Sequence, residues 1–219
     1  MKILVDNGHG ADGFTNGKYS PRLSDGMGIN LNDPTIYGGR FREGNFNRIV
    51  AKDLVKMLVG AGYDAELVVP EKEDISLGER VRRVNRWCDK LGTKNVIFIS
   101  IHANAANSTD TWAERADYWT VWTSKGQTKS DTIATFLWTA CKKVMPEMRF
   151  GTQSYDDGDV DYEEQFYVLR KTACPAVLTE NFFYQSKANT AFLASPEGRA
   201  KIVLGHYNGI VNYLNSIGQ

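Results

Sequence analysis

A chain of 219 residues with 26 Lys plus Arg against 26 Asp plus Glu carries no net formal charge. That balance argues against a nucleic-acid binder working through a bulk positive field. A hydrophobic fraction of 42% and a charged fraction of 24% describe an ordinary globule, and one this long buries about 70% of its unfolded surface, so it needs no disulfide or metal staple to fold.

The first predicted element is a buried strand over residues 3–5. Only Ile3, Leu4 and Val5 stand between Lys2 and Asp6, which is too short for a secretory hydrophobic segment. No apolar run approaches the roughly 20 residues that span a bilayer. The expectation is a chain made in the cytoplasm without a visible signal peptide and not inserted in a membrane. Residues 10–42 lack periodicity and read as a long loop, functional or mobile. Phe46, Ile49, Val50, Leu54, Met57 and Leu58 form a stripe that predicts a helix over 46–61, stopped by Gly62. A weaker strand over 65–69 ends at Pro70. Leu77, Val81, Val84, Trp87 and Leu91 predict a helix over 77–91, with Gly92 placed as its left-handed cap.

Next come a buried strand over 96–101 and a strand over 118–123 containing Trp119 and Trp122. A helix over 128–145 ends before Pro146. Residues 151–162, rich in Asp and Gly, form a second aperiodic segment. A buried strand over 176–178 and a helix over 196–214 follow, the helix opened by Ser195 as N-cap and Pro196 in its first turn. Alternating strands and helices, with strands that are continuously apolar, predict an α/β fold. The expectation is a single three-layer domain over 1–219, a mostly parallel twisted sheet with helices on both faces. No repeat or linker divides it. Cys88, Cys141 and Cys174 are odd in number and show no CxxC spacing, so neither a zinc ribbon nor a redox pair is present. Reduced structural thiols are expected, with a Cys141–Cys174 bridge left open.

Three polar positions close apolar strands. They are His9 in Asp6-Asn7-Gly8-His9-Gly10, His102 in Ser100-Ile101-His102-Ala103-Asn104, and Glu180 in Leu178-Thr179-Glu180-Asn181. Ligands of parallel α/β sheets bind outside the carboxyl ends of the strands, so these three converge on one crevice if the strands are neighbours. A lone histidine after a strand is ordinarily a hydrogen-bonded loop residue. Here two of only three histidines occupy equivalent positions. A catalytic zinc takes three protein ligands and keeps a fourth position open, so two histidines call for one more donor, commonly a carboxylate. Glu43 before the first helix is the best supply. Spacing alone does not separate it from a residue that merely favours the helix dipole, and Glu66, Glu71, Glu73 and Glu79 are rivals. His206, inside the last helix with no acidic or histidine partner one turn away, reads as a packing histidine.

Taken together, these blocks resemble the zinc-dependent N-acetylmuramoyl-L-alanine amidases of the Amidase_3 type. The resemblance rests on Asp6 to Gly10, Glu43-Gly44-Asn45-Phe46-Asn47, Ser100 to Asn104, and Val168-Leu169-Arg170 followed by Cys174-Pro175-Ala176-Val177-Leu178 and Glu180. Gly62-Tyr63 and Leu77-Gly78-Glu79-Arg80 fit its spacing, and it covers nearly the whole chain. Asn7 replaces a usual proline, Ala11 a common second glycine, Val69-Pro70 a frequent threonine-arginine, and Asn181 a usual glycine. The loop 10–42 is long for the family, and the expectation is a catalytic domain without an appended wall-binding module.

The resemblance implies one Zn2+ held by His9, Glu43 and His102, with Glu180 as the catalytic general base and acid. It implies hydrolysis of the amide between N-acetylmuramic acid and L-alanine of peptidoglycan. Asn104 is the candidate polar contact near His102 or the substrate. A wall enzyme without a visible export signal reaches its substrate on release from a lysing host, as a phage endolysin does, or carried a signal that this sequence lacks, and the first is the expectation. Two other readings compete. One is a zinc peptidase or deacylase acting on another amide. The other is a catalytically dead wall-binding protein, motivated by Trp112, Tyr118, Trp119 and Trp122 lying close in sequence.

Overall fold

The computed structural model of the chain describes residues 1–107, 110–153 and 158–219. The three strands expected at 3–5, 96–101 and 176–178 run on past their apolar cores, whereas those expected at 65–69 and 118–123 are shorter, and all the strands follow in chain order. They are β1 (Lys2–Asn7), then a two-residue ribbon of β2 (Ile36–Tyr37) and β3 (Arg40–Phe41), β4 (Asp64–Leu67), β5 (Val96–Asn104), β6 (Thr120–Thr123), β7 (Tyr162–Glu163) and β8 (Ala176–Phe183). The helices are α1 (Glu43–Gly60), α2 (Leu77–Leu91), α3 (Lys129–Val144), α4 (Tyr167–Lys171), α5 (Lys187–Ala194) and α6 (Pro196–Ser216). Residues 154–157 of the predicted 151–162 loop lie outside the described residues.

The six-stranded sheet has the order β4-β1-β5-β8-β6-β7. β4, β1, β5 and β8 are parallel, as predicted. β6 runs antiparallel to β8, and β7 follows β6. The reversal has a local cause: among the described residues no helix separates β5 from β6, so the connection does not return the strand to its starting end.

Alternation along the central strands sorts the core into two layers. Ile3, Val5, Ile97, Ile99, Ile101 and Val177 pack against α1, α3 and α6 through residues such as Phe46, Leu54, Leu137 and Ile202. Leu4, Phe98, Ala176 and Leu178 face the other way, against Val81 and Val84 of α2 and Val168 and Leu169 of α4. The structure is thus the expected three-layer α/β domain. Cys141 lies in the first layer and Cys174 in the second, so the sheet separates them. All three cysteines are free and buried, and the Cys141–Cys174 bridge is not formed.

His206 is fully buried between α6 and β8. Its Nδ1 donates to the Ile202 carbonyl at 2.8 Å, leaving Nε2, 2.9 Å from the Thr179 hydroxyl, to accept. Burial pulls its pKa down to about 4, against the opposing pull of that carbonyl. The unfolded imidazole takes up a proton near pH 6.5, well before the folded one. Stability is therefore expected to fall as pH drops from about 6.5 to about 4, by ~3 kcal/mol from this group. An NMR titration showing His206 protonated near pH 6.5 in the folded protein is the contrary result.

Candidate active site

The side chains facing α2 change character toward the carboxyl ends of the strands. Leu4 is followed by Asp6, Phe98 by Ser100 and His102, and Leu178 by Glu180, each two residues on and hence on the same face. His102 and Glu180 are direct neighbours across the β5–β8 ladder. Helices α2 and α4 cover the apolar part of this face. The polar end stays open as a cleft of about 630 Å3, walled by Ile75, Leu77, Phe166 and Tyr167.

The backbone after β1 is shaped around the two histidines. Gly8 keeps the pairing going, its N–H donating to the Ile101 carbonyl at 3.1 Å. A β-carbon at Gly8 would lie 2.0 Å from His102 Cε1, so only glycine lets that ring lie across the turn. His9 follows in the left-handed region, φ 68°. A β-carbon at Gly44 would meet the Gly10 carbonyl oxygen at 1.9 Å, so the start of α1 abuts the same turn and brings Glu43 to it. Glu43 Oε1 lies 3.0 Å from His102 Nδ1 and 3.4 Å from His9 Nε2, and accepts from the Ala103 N–H at 3.3 Å.

The two carboxyls of the site are driven apart. Burial works to raise Glu43, but His9 and His102 outweigh it and hold the carboxyl well below the usual range. Burial lowers His102 despite Glu43, which favours the neutral imidazole a metal requires. Burial pushes Glu180 well above the ordinary carboxylate range, and the Glu43 charge adds to that while Lys18 opposes it. Glu180 Oε2 is buried without a hydrogen-bond partner. Two acids held at opposite ends of their range suit one to a constant negative charge and the other to proton exchange.

His9, Glu43 and His102 present three donor atoms within 4.8 Å of one another. Two imidazoles and a carboxylate are the donor set of a zinc or similar transition-metal site, and the residues fit such an ion. The rival glutamates lie elsewhere. Glu66 holds Lys2 and the Trp87 indole N–H, Glu71 and Glu79 hold Arg83, and Glu73 is exposed. Asn104 lines the cleft, but its Oδ1 accepts from the Ala105 N–H at 2.8 Å, tying its own turn. The aromatic residues near 118–122 form no open platform. Trp119 is fully buried and Trp122 packs on Tyr162 and Phe166.

Several supporting residues escaped the sequence reading. Arg80 Nη1 donates to Asp6 Oδ1 at 2.6 Å, and Asp6 Oδ2 accepts from the Ser100 hydroxyl at 2.8 Å. Asn47 Nδ2 donates to the Gly8 carbonyl at 2.8 Å. Asn181 Nδ2 donates to the His102 carbonyl at 2.8 Å, and its Oδ1 accepts from the Trp119 indole at 2.7 Å. The asparagine that replaces a usual glycine thus fastens β8 to β5 beside the site. For Arg80 a signal existed: with Val81, Val84 and Cys88 it falls on the inward stripe of α2, where a solvated arginine does not belong.

Fold and site together define an α/β protein with a His–Glu–His donor group and a half-buried acid at the carboxyl ends of parallel strands. Residues 3–212 match the model of the N-acetylmuramoyl-L-alanine amidases, Amidase_3, and the chain belongs to that family. It is 32% identical to an uncharacterised cell wall amidase of Bacillus anthracis over 139 residues, 63% of this chain and 24% of the other. To the endolysin of Bacillus phage SPP1 it is 25% identical over 188 residues, 82% of this chain and 64% of the other. The matches thus span less than two thirds of either relative. The N-acetylmuramoyl-L-alanine amidase AmiC2 of Nostoc punctiforme shares the fold, with a TM-score of 0.73 at 21% identity over 98% of this chain and 97% of that one.

Proposed function

We propose that residues 1–219 act as one catalytic unit that hydrolyses the amide between N-acetylmuramic acid and L-alanine in peptidoglycan. Family membership names the reaction class. The observation that carries the catalytic reading is Glu180, a half-buried acid at the cleft whose Oε2 is buried and unpartnered beside the His–Glu–His group. His9, Glu43 and His102 would hold the zinc ion, their donor atoms already lying close together. When bound, zinc polarises an amide carbonyl and lowers the pKa of water.

The chain's own residues do the rest. Two neutral imidazoles and one carboxylate supply a single negative charge against a divalent ion, so the site keeps a net positive charge for developing anionic oxygen. Glu180 accepts a proton from water in the cleft and returns it to the leaving amine, which its raised pKa equips it to do. Leu77 and Tyr167 offer exposed apolar surface at the cleft wall for a bulky substrate. Asn104 is the proposed polar contact to that substrate. The similarity to a phage endolysin supports action on the wall after release or export. No described helix is long and apolar enough to cross a membrane.

The test is product analysis on defined muropeptides. Cleavage is expected to expose new L-alanine amino termini without new reducing sugar ends. Chelation is expected to abolish it and zinc to restore it. New reducing ends would make the protein a glycosidase, cuts within the peptide stem would make it a peptidase, and intact muropeptides would favour a binding protein.

A further inference from the structure

A second group of acids lies at the other edge of the sheet. Asp131 stands in the first turn of α3, while Asp159 and Asp161 belong to the segment that enters β7. One carboxylate oxygen from each lies within 4.8 Å of the others. Asp131 closes a capping box with Thr128, accepting from its backbone N–H. Asp161 Oδ2 accepts from the Thr123 hydroxyl. Asp161 is only 2% exposed, yet its Oδ1 has no hydrogen-bond donor, and neither has Asp159 Oδ1. Burial pushes the Asp161 carboxyl up to about 7 against the pull of the Thr123 hydroxyl, with carboxyl–carboxyl hydrogen bonding to Asp159 and the charges of Asp159 and Asp131 adding to the rise. A buried carboxylate left in that state either takes a proton or ligates a cation.

We propose that Asp131, Asp159 and Asp161 form a binding site for a hard divalent cation, Ca2+, distinct from the His–Glu–His group. The donor set is all oxygen, with no imidazole or thiolate to favour a softer metal. Ca2+ accepts six to eight oxygen ligands in a flexible shell, whereas Mg2+ demands a near-ideal octahedron and gives up its waters reluctantly, so three carboxylates from two separate segments suit Ca2+ better. Asp159 is only partly buried, so water has access to complete the coordination.

The location gives the ion a structural role. Asp161 directly precedes β7, whose Tyr162 packs on Trp122 with ring centroids 4.8 Å apart. Trp122 packs in turn on Phe166 at 5.4 Å, and Phe166 lines the active-site cleft. Holding Asp159 and Asp161 against the start of α3 therefore holds the edge strand on which this wall of the cleft rests.

Calorimetric titration and thermal melting at pH 8 test the proposal, using the zinc-loaded chain, its Asp159→Asn and Asp161→Asn variants, and Ca2+ or Mg2+. Ca2+ is expected to bind the parent at one site and, at about a hundredfold excess over Kd, raise its Tm by ~5–10 °C. Mg2+ is expected to do markedly less, and both variants to lose the Ca2+ response. In calcium-free buffer Asp161→Asn is expected to melt at or above the parent, because it removes repulsion while keeping an acceptor for Thr123. That outcome separates a lost site from a damaged fold. The proposal is overturned if millimolar Ca2+ leaves the parent unchanged, or if it raises the parent and both variants equally. It is likewise overturned if the parent gains stability only on acidification through about pH 7, which would assign the cluster to a shared proton.

Discussion

Glu180→Gln is expected to lower kcat by about 10²–10⁴-fold while leaving bound zinc at the parent's stoichiometry. Glutamine keeps the size and one acceptor but neither takes nor gives a proton at neutral pH. His9, Glu43 and His102 do not depend on it for their mutual contacts. KM should move little, since the loss is of proton transfer and not of the apolar cleft wall. Stability supplies a control with a defined sign. In the metal-free chain the Glu180 carboxyl is held protonated beyond the ordinary carboxylate range. Its contribution to stability is fully present below the unfolded value, about 4.3, and is lost as pH rises through the elevated folded value. Metal-free Glu180→Gln should therefore melt at or above metal-free parent at pH 8. Lost turnover with zinc retained and an undiminished Tm isolates the catalytic role. A variant that still turns over near the parent rate removes Glu180 from the mechanism.

What the sequence made legible follows from where the physical signal is local. Helix α2 matches its predicted bounds because both ends are marked: the Ser76 hydroxyl accepts from the Glu79 N–H, and Gly92 sits at φ 83°. The central strands were legible as apolar runs, but their polar extensions were not. β5 continues through His102 to Asn104 because ladder pairing, not hydrophobicity, sustains it there. Helices α4 and α5 went unseen, since five and eight residues are too few to establish a 3.6 period. The direction of β6 depends on a connection whose path no local pattern encodes. The convergence of His9, His102 and Glu180 on one cleft was legible from their shared position at or just past strand ends. Glu43 was not separable by spacing, because its selection depends on α1 meeting the Gly10 turn, a contact across 34 residues of chain. The acids at Asp131, Asp159 and Asp161 show the same limit: composition marked the 151–162 loop as acidic, but only the fold brings α3 to it.

Arg80→Met is expected to be the most destabilising single change near the site, at about 3–5 kcal/mol, which for a chain of this size lowers Tm on the order of 10 °C. Arg80 and Asp6 are 2% and 1% exposed, so neither reaches bulk solvent. The guanidinium spreads over four acceptors: Asp6 Oδ1 at 2.6 Å, the Ile75 carbonyl at 2.8 Å, the Asn7 carbonyl at 3.2 Å and Asp74 Oδ1 at 3.3 Å. Methionine fills much of the volume and satisfies none of them, leaving the Asp6 carboxylate with the Ser100 hydroxyl among the bonds described. Lysine keeps the charge but not the planar fork, so Arg80→Lys should fall between parent and Arg80→Met. Asp6→Asn combined with Arg80→Met removes the stranded charge and should recover part of the loss, a coupling that a double-mutant cycle reads directly. The same change should reach the donor group. Asn7 stands two residues before His9 and receives Arg80 through its carbonyl, so a looser strand end weakens zinc binding by about 10–100-fold even well below the melting temperature. A variant that keeps full zinc affinity would make the pair a matter of stability alone, and one that melts within a degree or two of the parent would show that water reaches Asp6 once the arginine is gone.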